Sequence, residues 1–219
     1  DMSSNTVFSD SLSAPSNSTM ITPVTTIMAE SSLTKEQVVA TLGLPVGMDP
    51  LTFSAFDATL SAADKLTALK VEKAAQKVMA IVSTFATAAE ASGATASVSF
   101  DAAMKAVVAE VVTATTAYEL AVTNSTTPVV LAFTDAQVDD VKDAMDTVIA
   151  AEVLAGTMTA AMSGVFTAQV VNTVAALKNV VGAIDDIDIT DAANLDLAAS
   201  KDIFALTSVL VSQVETATD

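Results

Sequence analysis

The chain has 219 residues, a hydrophobic fraction of 52% and a formal net charge of −17, so it carries enough apolar surface to offset chain entropy without a covalent staple. It contains no Cys, His, Trp or Arg, and its nine basic residues are all Lys. Ser-His and Cys-His dyads and imidazole-zinc sites are therefore excluded, no guanidinium fork is present to grip phosphate, and the negative charge repels nucleic acid.

Residues 1–19 are rich in Ser and Asn and lack both the basic start and the apolar core of a signal peptide; the chain begins at Asp1, as a mature or excised form does. Thr6, Val7 and Phe8 form a short β-leaning run ahead of Pro15. They predict an extended N-terminal arm over residues 1–19, either an assembly strand that pairs with a neighbour or a frayed terminus.

The remainder, residues 20–219, reads as a single α-helical domain with a sub-boundary near 124–133. Pro23 suits a first helical turn, and Val24, Ile27 and Met28 share a face. Thr34 and Gln37 have capping-box spacing and open a short helix that ends at Gly43. Residues 43–60 form a connector pinned by Leu51, Phe53 and Phe56. Ser61 caps a helix of roughly thirty residues with Leu66, Leu69, Val78, Ile81, Val82 and Phe85 on one side. Lys70, Lys73 and Lys77, with Lys65 nearby, make the only basic stripe, read as solvated stems or as a site for an acidic partner.

Gly93 ends that helix, and Ser99 is the expected cap of the next. Its apolar residues, from Phe100 through Val111 to Tyr118 and Val122, step by threes and fours. Many are β-branched, yet a sustained helical period decides for helix over strand. Thr134 and Gln137 repeat the capping-box spacing before a stripe of Val138, Val141, Met145, Val148 and Ile149. Asn17 to Gln37 and Asn124 to Gln137 thus echo each other, more simply by shared turn chemistry than by duplication. In the first turns of this helix Asp139, Asp140 and Asp143 compensate the helix dipole.

From Val153 to Leu177 twenty-five residues carry no charge, and Gly156, Ala160 and Gly164 recur every four. That pattern fits either a membrane span or, better given its many Thr, Ser, Asn and Gln, a core helix bent or broken at Gly156 or Gly164. Asp185, Asp186, Asp188 and Asp191 then crowd into seven residues, a candidate calcium site set against a solvated acidic turn. It departs from an EF-hand loop, since position twelve counted from Asp186 is Leu197. No other cofactor is expected. Ser200 caps a final helix with a stripe of Ile203, Phe204, Leu210, Val211 and Val214.

The run Leu12 to Ile27 (LSAPSNSTMITPVTTI), with Leu33-Thr34, Leu42 to Pro45 and Asp49 to Phe53, resembles a helical module of very large secreted bacterial surface proteins of adhesin-like, cadherin-like or calcium-repeat type. The resemblance covers roughly residues 12–125. It implies a cell-surface location and a multidomain or polymeric context, with the first segment leaving a preceding β-domain.

These readings converge on an all-α bundle of about six helices, two or more of them long, with a short extended N-terminal arm. The expected role is a non-enzymatic structural or assembly element of an extracellular bacterial structure such as an adhesin stalk, surface layer or filament. Its partners are then copies of itself or neighbouring domains. Alternatives are a glycan- or peptide-binding module with a groove at Phe53, Phe56 and Tyr118, and a membrane-embedded helical protein.

Overall fold

A computed structural model of the chain describes residues 12–55, 57, 59–124 and 134–187. Among these are six helices and no strand: α1 (Pro23–Glu30), α2 (Lys35–Thr41), α3 (Ala62–Ala91), α4 (Ala96–Asn124), α5 (Gln137–Ala155) and α6 (Ala160–Asp185). The expected all-α bundle with long helices is what forms. The arm residues Thr6, Val7 and Phe8, the connector residue Phe56, and the helix expected from Ser200 lie outside the described residues.

The four long helices make the body, with α3 against α4 and α6, and α5 against α4 and α6, while α1 and α2 close one end by packing mainly on α4. One apolar cluster runs through it all, from Val24 and Ile27 of α1 to Val181 and Ile184 of α6. Small residues set the spacing: Ala102, Ala103 and Ala106 of α4 and Ala88 and Ala89 of α3 are fully buried, which lets helix axes approach closely. Between them Phe85, Ile81, Phe166 and Leu177 fill the larger spaces.

Local chemistry explains most boundaries. The Thr22 hydroxyl accepts from the Thr25 amide (3.1 Å) while the Thr25 hydroxyl accepts from the Thr22 amide (2.8 Å), a capping box with Pro23 at the first helical position. Thr34 and Gln37 form the expected second box. Ser61 caps α3 by accepting from the Asp64 amide. At the far end Gly93 takes φ 105°, a conformation that favours glycine.

Two boundaries differ from expectation. α4 begins at Ala96, so Ser99 lies inside its first turn, fully buried, and its amide donates to the Thr95 carbonyl. Thr95, a residue equally suited to the position, precedes the helix instead. At α5 only half a capping box forms. The Gln137 side chain accepts from the Thr134 amide (2.8 Å), but the Thr134 hydroxyl turns to the same Gln137 oxygen and to the Ala136 amide, and the helix starts at Gln137.

The uncharged stretch 153–177 is broken into two helices at Gly156, one of the two positions expected. Gly156 closes α5 at φ 78°, and Thr159 caps α6 by accepting from the Met162 amide. α6 itself turns by 51° between Val171 and Thr173, where the Thr173 hydroxyl donates to the Val170 carbonyl. Among the described helices α4 is the one long and apolar enough to cross a bilayer unbroken, and the two halves of α6 reach that length only together. A core helix has the same composition, and α4 packs against α3, α5, α1 and α2.

Candidate functional site

The lysines of α3 behave differently from a solvated stripe. Lys70 is exposed, but Lys77 is only 5% exposed and Lys73 is half-buried. Their i, i+4 spacing puts both ammonium groups over the C-terminal end of α6, where backbone carbonyls lack helical partners and carry negative partial charge. Lys73 Nζ donates to the carbonyls of Asp185 (2.9 Å) and Ile187 (3.0 Å), and Lys77 Nζ pairs with Asp185 Oδ1 at 2.7 Å. Two expectations are corrected together. Lys73 and Lys77 are not an open basic surface for an acidic partner, and Asp185 is not a freely solvated acid.

This bears on the calcium reading. Asp185 has one oxygen committed to an ammonium, Asp186 is exposed, and Asp188 and Asp191 lie outside the described residues. Among the described residues no three acidic side chains converge on a point a metal could occupy.

The acids of α5 are also engaged. Asp139 pairs with Lys178 of α6, Asp143 and Asp146 both hold Lys142 (2.9 and 2.8 Å), and Glu152 accepts from Lys105 of α4 at 3.0 Å. Glu152 also receives the Thr157 hydroxyl on its carboxylate, which, with Lys105, holds its pKa below the usual value. It thereby ties the end of α5 to the turn that leads into α6. Asp139, expected to serve the helix dipole, and Glu152 therefore fasten α5 to α6 and α4, while Asp143 and Asp146 pair within α5.

One ionisable residue that matters does not stand out in the sequence. Glu110 sits in α4 within the run Val107 to Val112, is 7% exposed, and has its pKa pushed up to about 7 by burial and then by the charge of Asp140 across the α4–α5 contact. The stripe from Phe100 through Val111 does not include it; it shares its side of α4 with the buried Ala103, Ala106 and Ala114, whose small size does not mark an interior in the sequence. Glu72 of α3 is likewise raised by burial, against a lowering hydrogen bond from Gln76.

The N-terminal segment that carries the family resemblance is fastened down over its described part. Ser13 exchanges hydrogen bonds with the Thr26 side chain (3.1 and 3.0 Å) and donates to Glu30 (2.8 Å); the Thr19 amide and Ser18 hydroxyl both donate to the Leu51 carbonyl. The paired threonines of that motif, Thr25 and Thr26, are buried, with Thr26 holding the segment. In the connector, Phe53 packs on the core. Tyr118 is half-buried on the last turns of α4. Comparison of the chain with family models, curated proteins and solved structures found no match.

Proposed function

We propose that the chain is a non-enzymatic building block of an extracellular bacterial surface assembly, working through contacts between neighbouring bundles. The observation that carries this reading is the use made of polar side chains. Four lysines fasten one helix to another: Lys73 and Lys77 hold α6 to α3, Lys105 holds α5 to α4, and Lys178 holds α6 to α5. Buried hydroxyls do the same, as in the 2.7 Å pair of Thr41 and Thr115 between α2 and α4. A composition without His or Cys offers no Ser-His or Cys-His pair, and cross-helix fastening suits a body that bears load. Leu154, 90% exposed in the last turn of α5, supplies an apolar contact point for a neighbour.

The test is light scattering of the full chain over a wide concentration range, beside a form lacking residues 1–11. That deletion leaves the Ser13, Ser18 and Thr19 contacts in place. Mass that grows with concentration is expected, and a drop on deletion assigns the growth to the arm residues Thr6, Val7 and Phe8. A mass of one chain at every concentration overturns the reading.

A further inference from the structure

The capping box at the start of α6 is closed by sulfur. The Thr159 hydroxyl accepts from the Met162 amide at 3.2 Å, and the return bond runs from the Thr159 amide to Met162 Sδ at 3.3 Å. In α1 and α2 the same place is taken by oxygen, from the Thr25 hydroxyl at 2.8 Å and the Gln37 amide at 2.7 Å. A thioether is a weaker acceptor than either, so capping alone does not account for a methionine at this position.

The far end of the side chain accounts for it. Met162 is half-buried and packs on the apolar core. Its methyl carbon lies 3.1 Å, and its Cγ 3.7 Å, from the point where a Cβ on Gly93 would stand, in the turn between α3 and α4. One side chain thus caps α6 with its sulfur and seats that turn with its methyl. The chain has no Cys, so thioethers are its only sulfur groups for an oxidant to attack. Met104, Met145 and Met158 are buried at 4%, 0% and 3% exposure, which leaves the half-buried Met162 the more open to attack.

We infer that Met162 is an oxidation site whose product unseats the α3–α4 turn from α6. With hydrogen peroxide the sulfur lone pair attacks one oxygen, the S–O bond forms as the O–O bond breaks, and the sulfur gives up two electrons. The second oxygen departs as water, and Met162 becomes its sulfoxide. The sulfoxide oxygen is the stronger acceptor and takes over the Thr159 amide, so the sulfur retreats by about a bond length and draws the methyl away from Gly93. α6 keeps its cap and loses its hold on the turn. This role is independent of assembly and goes beyond it.

Hydrogen peroxide added to the full chain, followed by fragment masses and amide exchange, tests it. Met162 gains one oxygen before the buried Met104, Met145 and Met158 do. The amides of Ser92, Gly93 and Ala94, bonded in the reduced protein to the carbonyls of Ala88, Glu90 and Ala89, then exchange roughly tenfold faster. Met162→Leu keeps an apolar side chain without sulfur, and Met162→Gln supplies the acceptor that α2 uses. In both variants the exchange of these turn amides is the same with and without peroxide. A Met162 that stays unoxidised while the buried methionines react overturns the inference. So do turn amides indifferent to its oxidation, and so does peroxide-accelerated exchange that persists in either variant.

Discussion

At Glu110 the cost of placing a charge in an apolar helix interface can be read as a pH dependence. Its pKa in the fold is about 7 against a reference of 4.5, so the folded protein binds the proton more tightly than the unfolded chain. The stabilising contribution of that proton is whole below about pH 4.5 and is lost as pH rises through 7. Glu110→Gln keeps the shape and removes the charge. It should leave stability nearly unchanged at pH 4.5 and raise it by about 1 to 2 kcal/mol at pH 8, given partial access to water. Urea titrations at the two pH values check this; equal effects at both show that Glu110 does not titrate in the fold. Lys77 has the opposite character. Removing it as Lys77→Met leaves the Asp185 carboxylate, a third exposed, without its counter-ion, a loss of about 1 to 2 kcal/mol. The same urea titration reads it, and an unchanged midpoint means the pair contributes nothing. Neither role is legible in the sequence, for one shared reason. A stripe of lysines and a lone glutamate show their helical register, but the groups opposite them are decided by how helices far apart in the chain come together.

The helices themselves are far more legible, because each one satisfies its own ends and its own apolar period. The stripes from Leu69 to Phe85 and from Val138 to Ile149 are buried as their spacing predicts, and β-branched α4 is helical because period outweighs propensity. Legibility fails at starts where two capping residues compete. Thr95 and Ser99 are both good caps, and the residues between them can join the helix or not at small cost in local energy; the burial of Ser99 and Phe100 decides. The break between α5 and α6 offers a test on the element scale. Gly156 and Gly182 both have open space where a Cβ would stand, yet Gly156 has φ 78° while Gly182 is helical. Gly182→Ala should therefore stabilise by about 0.5 to 1 kcal/mol through reduced backbone freedom, and Gly156→Ala should destabilise by about 1 kcal/mol through left-handed strain. Thermal unfolding of the two variants should move in opposite directions. A parallel shift would mean that Gly156 does not end α5 in the left-handed conformation.

On the scale of the whole molecule two electrostatic effects compete, and their numbers decide which wins. Salt weakens the ion pairs that fasten the helices, but there are 26 acidic residues to only 9 basic ones, so like-charge neighbours outnumber paired ones. Among the cross-helix pairs described, the Lys77 ammonium with Asp185 is sheltered from solvent, where screening acts least, while Lys105 and Asp139 stand open to it. Repulsion among exposed carboxylates is what salt removes, as the screening length falls from about 30 Å at 0.01 M to about 3 Å at 1 M. Unfolding temperature should accordingly rise by several degrees between roughly 0.01 M and 0.5 M sodium chloride at about pH 7.5. Near pH 4.1, about the isoelectric point its composition gives, the rise should shrink to a small remainder, because most of the net charge driving the repulsion has gone. That remainder is the modest strengthening of apolar burial by salt, which does not depend on net charge. A rise of equal size at both pH values would show that salt acts on the core rather than on the acidic surface. A fall at the higher pH would mean that the cross-helix ion pairs, not the excess of carboxylates, govern how this protein responds to its ionic surroundings.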